Sequence, residues 1–95
     1  MLLLVTMALA ATTPAALSGP SAADIATAIH AADPQVSGPV AFRTDTIRSL
    51  HCRAFEEEPT EYLCRFQAWA TEGRWKRRSA IMALDRDGWV LLSLD

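Results

Sequence analysis

The sequence predicts an α+β domain in which one N-terminal helix packs on a four-stranded antiparallel meander sheet. An apolar stripe with helical spacing precedes residue 34, and apolar and polar residues alternate with a period of two from residue 40 onwards. The connections between the alternating segments are short and rich in turn residues, which favours sequential hairpins. In the first of these hairpins both cysteines fall on one face, which supports the same arrangement.

Length and composition restrict the classes of protein. The chain has 95 residues, of which 51% are hydrophobic and 21% are charged, so it forms one small folded domain rather than a disordered segment. Its net charge of −2 and pI near 5.6 exclude a protein that coats nucleic acid by charge alone, and we expect no specific nucleic-acid binding.

The first residues are typical of a secretory leader. The uncharged apolar run Met1–Ala11 is too short to span a bilayer and is followed by small residues, so residues 1–18 are predicted to be a signal peptide cleaved after Ser18. Cleavage after Ala23 would cut into a helix start, and an uncleaved membrane-associated leader and an ordinary apolar helix are the alternatives. The protein is therefore expected in the periplasm or outside the cell. Its eight arginines and single lysine indicate a bacterial source.

The predicted domain covers residues 19–95 and begins with a helix over residues 21–33. Ser21 is the expected N-cap, with Asp24 three residues later near the positive end of the helix dipole. Ile25 and Ile29 form the centre of a narrow apolar stripe. The helix is expected to end at Asp33, because the residue before Pro34 avoids the α conformation.

Four extended segments follow the helix. They are predicted over residues 40–54, 61–71, 74–84 and 89–94, separated by the turn-forming stretches 56–59, 72–73 and 85–88. This helix-plus-meander order resembles cystatin-like and NTF2-like architecture in outline. The resemblance implies a fold outline only and no site residues, because the glycine and QxVxG signature of the cystatins is missing.

The cysteines predict a structural disulfide. A first hairpin centred on Glu58 places Cys52 opposite Cys64, Ala54 opposite Tyr62 and Leu50 opposite Phe66, all on one apolar face. We predict a Cys52–Cys64 bridge on the buried face under the helix, with free thiols as the alternative. The eleven residues between the cysteines do not fit a redox motif, and zinc would need further ligands.

No motif indicates catalysis, a cofactor or a metal. His30 and His51 have no evident catalytic partners, and the sequence contains neither a nucleophile elbow nor a glycine-rich phosphate loop. The stretch Asp85–Gly88 resembles the middle of a calcium loop but has Ala83 and Leu94 where ligating acids are required. A tight hairpin turn explains this stretch better, and we expect the chain not to be an enzyme.

Charge and aromatic residues mark one candidate binding surface. Acidic residues cluster at the first and third turns, whereas basic residues follow the second turn at the opposite end of a meander. Tryptophan and arginine together are typical of binding hot spots. The candidate partner-binding residues are Trp69, Arg74, Trp75, Lys76, Arg77 and Arg78. An anionic or protein partner is expected there, whereas solubility and the protection of strand edges are the alternative reasons for these charges.

Three functions are compatible with these features. The preferred one is a small exported, non-catalytic binding module of the cell envelope, either an inhibitor or an accessory protein. The second is a structural envelope protein that associates with itself through the two-sided apolar hairpin 81–94. The third is a small enzyme, which would need a pocket with converging titratable groups.

Overall fold

A computed structural model describes residues 19–95 and shows two helices followed by one four-stranded sheet. The predicted signal peptide, residues 1–18, lies outside the described residues. The elements are helix α1 (Ala22–Ala31), helix α2 (Pro34–Ser37), a 3-10 turn (Thr44–Thr46) and the strands β1 (Arg48–Ala54), β2 (Glu61–Trp69), β3 (Trp75–Asp85) and β4 (Gly88–Leu94). Neither helix within residues 19–95 has the length and apolar character needed to cross a membrane.

Helix α1 begins as the sequence predicts. The backbone N–H of Asp24 donates to Ser21 Oγ at 3.1 Å, and the backbone N–H of Ser21 donates to Asp24 Oδ2 at 2.8 Å. This reciprocal capping box satisfies two amide groups that the first helical turn leaves without partners. The helix ends at Ala31, two residues earlier than predicted, because Asp33 caps the separate short helix α2.

The sheet confirms the predicted meander. Its strand order is β1-β2-β3-β4, and each neighbouring pair is antiparallel. Cys52 lies opposite Cys64, and the two form a disulfide as predicted. A four-residue turn over residues 85–88 predicts Met82 opposite Leu91 and Leu84 opposite Trp89, and the last hairpin has both of these pairs.

Two irregularities shift the register away from the predicted one. Between Arg48 and His51 the first hairpin contains a bulge, with Ser49 at a φ of 55°. Arg48 consequently lies opposite Gln67, where simple alternation predicted Ser49. A second shift in β4 places Ser93 rather than Leu92 opposite Ile81. Each bulge inserts one residue into a ladder, which sequence alternation does not reveal.

The first strand begins later in the chain than the sequence predicts. The predicted strand starts at residue 40, whereas β1 starts at Arg48 and the preceding chain contributes one isolated bridge, Phe42 to Ala70. The ring of Phe42 packs edge-on against Phe66, with 6.0 Å between the ring centroids. This connector therefore packs on the same face as the helix and does not form a second core on the opposite face.

The core lies between α1 and one face of the sheet. Ile25, Ala28 and Ile29 of the helix pack with the sheet residues around Cys64 and Met82, which are fully buried. The buried cluster consists of Ile25, Ala28, Ile29, Phe42, Tyr62, Cys64, Phe66, Ala68, Ala80, Met82 and Leu91. We call this side the helix face and the opposite side of the sheet the open face.

The described chain is packed on the core from its first residues. Gly19 has a φ of 77°, and a Cβ at this position would lie 3.2 Å from the Tyr62 ring and 3.3 Å from Cys52 Cβ. Pro20 is buried, and its carbonyl oxygen lies 3.8 Å from Cys52 Sγ. Glycine is required here for both its backbone angle and its small size.

Candidate functional site

The open face begins with a pair of tryptophans next to the β2–β3 turn. Trp69 and Trp75 lie opposite each other, and their rings meet edge to face with 5.4 Å between centroids. Each residue is 36% exposed. The backbone of Trp69 is fixed by the preceding loop, since its N–H donates to Thr46 Oγ1 at 2.9 Å and its carbonyl oxygen accepts from the Arg43 N–H at 3.0 Å. The fold thus holds two large rings partly in solvent.

Arg48 is added to this pair by the bulge in β1. Its guanidinium carbon lies 3.5 Å from the centroid of the Trp75 ring, and its Nε donates to Gln67 Oε1 at 3.0 Å. A guanidinium stacked on an indole is held flat by the ring while its outer N–H groups stay available for a ligand. Arg48 is not among the binding residues that the sequence predicts, because only the bulge brings it to the open face beside Trp75.

The cationic surface continues along the strands. Arg77 lies opposite Gln67 on the next strand, and Arg65 lies between His51 and Ser79 in the following row. These residues belong to the same face because alternate residues of a strand point to the same side. A shallow cavity of about 740 Å³ is lined by Ser49, His51, Arg65, Phe66, Gln67, Arg77, Arg78, Ser79 and Asp95. Two of the arginines in this lining, Arg65 and Arg77, belong to the open face, and Asp95 is the acidic residue of the lining.

The structure separates the six predicted site residues. Trp69, Trp75 and Arg77 share the open face, whereas Lys76 and Arg78 lie opposite Ala68 and Phe66 on the helix face. Arg74 lies in the turn before β3. The basic run is compact in sequence, but the period of two in a strand sends its neighbouring residues to opposite sides.

Glu72 pairs with two of the predicted cations. One of its carboxylate oxygens lies 3.0 Å from Arg74 Nη2, and the other lies 3.3 Å from Lys76 Nζ. The hydrogen bond from Lys76, reinforced by the charges of Lys76 and Arg74, lowers the pKa of Glu72. These groups are exposed, so the pairs add little stability, but they reduce the positive charge that Arg74 and Lys76 offer to a partner.

Arg78 contributes to the helix face. Its guanidinium carbon lies 5.2 Å from the centroid of the Phe42 ring. The Nε atom is buried and has no hydrogen-bond partner among the described residues. The side chain thus covers the aromatic edge of the core, and only its outer nitrogens are available to a ligand.

The acidic residues occupy the other end of the sheet. The β1–β2 and β3–β4 turns lie together there, as the meander predicts, and the β2–β3 turn with the tryptophans lies at the opposite end. The acidic end contains Glu56, Glu57, Glu58, Glu61, Asp85 and Asp87. The domain is therefore electrically dipolar along its strands.

The described residues offer little to metal or thiol chemistry. No group of three or more His, Cys, Asp and Glu side chains within residues 19–95 is arranged to hold a metal ion. Cys52 and Cys64 are bonded to each other, so neither supplies a reactive thiol. The His30 ring nitrogen Nε2 shares a hydrogen bond with Thr44 Oγ1 at 3.0 Å, and His51 is exposed beside Arg65.

Comparison of the chain with protein-family models, curated proteins and solved structures found no match. The outline resemblance to cystatin-like and NTF2-like folds therefore stays a prediction. The helix, the four-stranded antiparallel sheet and the disulfide are features of the structure itself. The disulfide in so small a domain is compatible with an exported protein.

Proposed function

We propose that this chain is a small exported binding module of the cell envelope, an inhibitor or accessory protein without catalytic function. The leader predicted over residues 1–18 and the Cys52–Cys64 disulfide support export to the periplasm or the medium. The arginine-rich composition supports a bacterial source. A cystatin-like or NTF2-like outline is compatible with this proposal but contributes no site residue.

The proposed ligand is an acidic segment of a protein partner. One observation carries this choice: Arg48 is stacked on Trp75 beside Trp69 and Gln67, on an exposed face that also presents Arg65 and Arg77. Tryptophan and arginine dominate binding energy at protein interfaces. The planar guanidinium also binds carboxylates through two parallel hydrogen bonds.

The spacing of the arginines fits an extended acidic segment. Arg48 and Arg77 flank Gln67 from the strands on either side, so their backbones are two strand spacings or about 10 Å apart. In a peptide with the extended polyproline II conformation, carboxylates three residues apart point to the same side and are separated by a similar distance, about 9 Å. A segment that crosses the strands can therefore pair with both arginines and contact the tryptophans.

Titration with a short oligo-glutamate peptide tests this proposal. We expect binding that weakens with salt, measured by calorimetry and by the fluorescence of Trp69 and Trp75. Replacing Arg77 or Arg48 by Gln should raise the Kd by about tenfold, since each removes one charge-assisted contact. Arg86→Gln is the matched control, because it removes the same charge from an exposed turn at the acidic end.

Two results would contradict the proposed ligand. One is an absence of oligo-glutamate binding at low salt, where surface electrostatics are strongest. The other is an equal loss of affinity in Arg86→Gln and Arg77→Gln, which would indicate an effect of net charge alone. An oligo-lysine peptide should not bind the wild-type open face.

A further inference from the structure

The acidic half of the open face carries an apolar patch that extends over β2, β3 and β4 to the residue that follows β1. Phe55 continues the first ladder, since its N–H donates to the Glu61 carbonyl oxygen at 2.9 Å, and it is 36% exposed. On β4, Val90 and Leu92 are 41% and 43% exposed. The patch consists of Phe55, Leu63, Ile81, Ala83, Val90 and Leu92. Within residues 19–95 the helices pack on the other face and leave this patch uncovered.

The charges around this patch are self-complementary, because residues of opposite charge lie at equal distances on either side of its centre. Leu63 lies opposite Ile81 at the centre of the sheet. On β2, Glu61 and Arg65 lie two residues to either side of Leu63 and point to the same face. On β3, Arg77 and Asp85 lie four residues to either side of Ile81, again on the open face.

A two-fold axis across the strands pairs these opposite charges. Two sheets that pack face to face lie about 10 Å apart with their strands nearly aligned. An axis that passes between the copies at Leu63 and Ile81 reverses the strands, so Arg65 of each copy faces Glu61 of the other. By the same reversal Arg77 faces Asp85. An axis along the strands would instead place the arginine-rich half of one copy against the arginine-rich half of the other, which is repulsive.

Arg53 does not oppose this arrangement. It lies opposite Leu63 on β1, which is the edge strand of the sheet, and the axis brings it towards its own counterpart. The twist of packed sheets separates their corners, and a long arginine side chain on an edge strand can place its charge in solvent.

We propose that the chain forms a symmetric dimer through the open face, with the two apolar patches in contact and four ion pairs around them. Such an interface uses the same surface on both copies, as closed two-fold dimers require. The apolar patch supplies the driving force, whereas the charges select the orientation of the two copies. Within residues 19–95 neither Glu61 nor Arg65 forms an ion pair, so both are available for this contact.

Charge reversal gives a test of the proposed symmetry. Arg65→Glu and Glu61→Lys each place like charges in contact twice per dimer, so each variant alone should dissociate at least about tenfold more readily than wild type. An equimolar mixture of the two variants should associate as a heterodimer, because both of its contacts again join opposite charges. The double variant R65E/E61K should recover the wild-type dimer. Sedimentation velocity over a range of concentrations compares wild type, the two single variants, their mixture and the double variant.

A matched control separates this interface from a general effect of charge. Glu57→Lys makes the same charge change as Glu61→Lys in an exposed turn, at a residue outside the proposed pairs, and should leave association unchanged. Ile81→Ser removes the apolar centre from a half-buried position and should yield a monomer. Circular dichroism establishes that each variant is folded before it is compared.

Three outcomes would overturn the dimer. The first is a wild-type chain that sediments as a monomer at every concentration. The second is a mixture of Arg65→Glu and Glu61→Lys that associates no better than either variant alone. The third is an effect of Glu57→Lys equal to that of Glu61→Lys.

Discussion

Two adjacent arginines of β3 have side chains in different environments. Arg77 lies on the open face beside Gln67, whereas Arg78 covers Phe42 on the helix face. The two residues are chemically identical and adjacent in sequence. Their functions differ because strand geometry sends consecutive side chains to opposite sides of the sheet.

The disulfide permits a prediction for a single residue. Cys52→Ser should lower the free energy of unfolding by about 3 kcal/mol, because the bridge closes a short loop and reduces the entropy of the unfolded chain. In a domain of this size that corresponds to roughly 10 to 20 °C in Tm. Thermal melts followed by circular dichroism in oxidising buffer measure the change.

Two comparisons check the cause of that change. Cys52→Ala removes the bridge without adding a hydroxyl group to a half-buried site, and it should lower Tm by a similar amount. Reduced wild type should melt close to both variants. An unchanged Tm in Cys52→Ser would contradict a stabilising role for the disulfide.

At the scale of the element, the bulge in β1 determines the composition of the open face. Without it, simple alternation places Ser49 opposite Gln67, and Arg48 would not face the tryptophans on the same side of the sheet. The extra residue moves Arg48 to that position, where it stacks on Trp75. Ser49 adopts a positive φ to make this possible.

A matched pair of substitutions at Ser49 tests the bulge. Ser49→Gly should preserve the fold and the stacking of Arg48, because glycine adopts a φ of 55° without steric strain. Ser49→Val should lower stability by about 1 to 2 kcal/mol, since a β-branched residue is disfavoured at positive φ. Chemical denaturation measures stability, and the indole proton shifts of Trp75 report the stacking. Equal stability in both variants would contradict a bulge that requires a positive φ at residue 49.

At the scale of the whole molecule, the separation of charge connects the two proposals. Arg77 is used both by the acidic ligand and by the second copy, so the two contacts exclude each other. In the dimer, Glu61 and Asp85 of one copy contact the arginines of the other copy, as the carboxylates of an acidic partner would. Dimer formation would therefore mask the binding face until a partner displaces one copy.

The start of the folded domain predicts where the leader is removed. Cleavage after Ser18 leaves Gly19 and Pro20 packed on Tyr62 and Cys52, and it keeps the capping box of α1. Cleavage after Ala23 would remove these contacts. We therefore expect intact mass spectrometry of the protein from its native host to show a chain that begins at Gly19 outside the cytoplasm, and that gains two hydrogen atoms on reduction.

The same measurement can contradict export. A full-length, cytoplasmic chain with two free thiols would remove the support for an envelope function and would make Cys52 and Cys64 candidates for thiol chemistry. A chain that begins at Asp24 would keep export but contradict the argument from the capping box and the packing of Gly19.

The elements with strong local signals can be predicted from the sequence alone. Ser21 and Asp24 predict the start of α1, and the alternation around Cys52 and Cys64 predicts the first ladder, the disulfide and the helix face. Trp69 on the open face also follows from alternation, whereas the structure places Arg77 there. These features depend on neighbouring residues and on the period of two, which a single sequence contains.

The sequence does not predict which cationic side chain contacts the tryptophans, because this depends on the folded structure. The bulge at Ser49 places Arg48 on Trp75. Glu72 forms ion pairs with Arg74 and Lys76, although nothing in the sequence distinguishes these cations from Arg48. Phe42 joins the core through one bridge rather than a strand. The physical reason is that bulges, ion pairs and loop packing depend on contacts between distant residues, whose energies are not encoded in any local period.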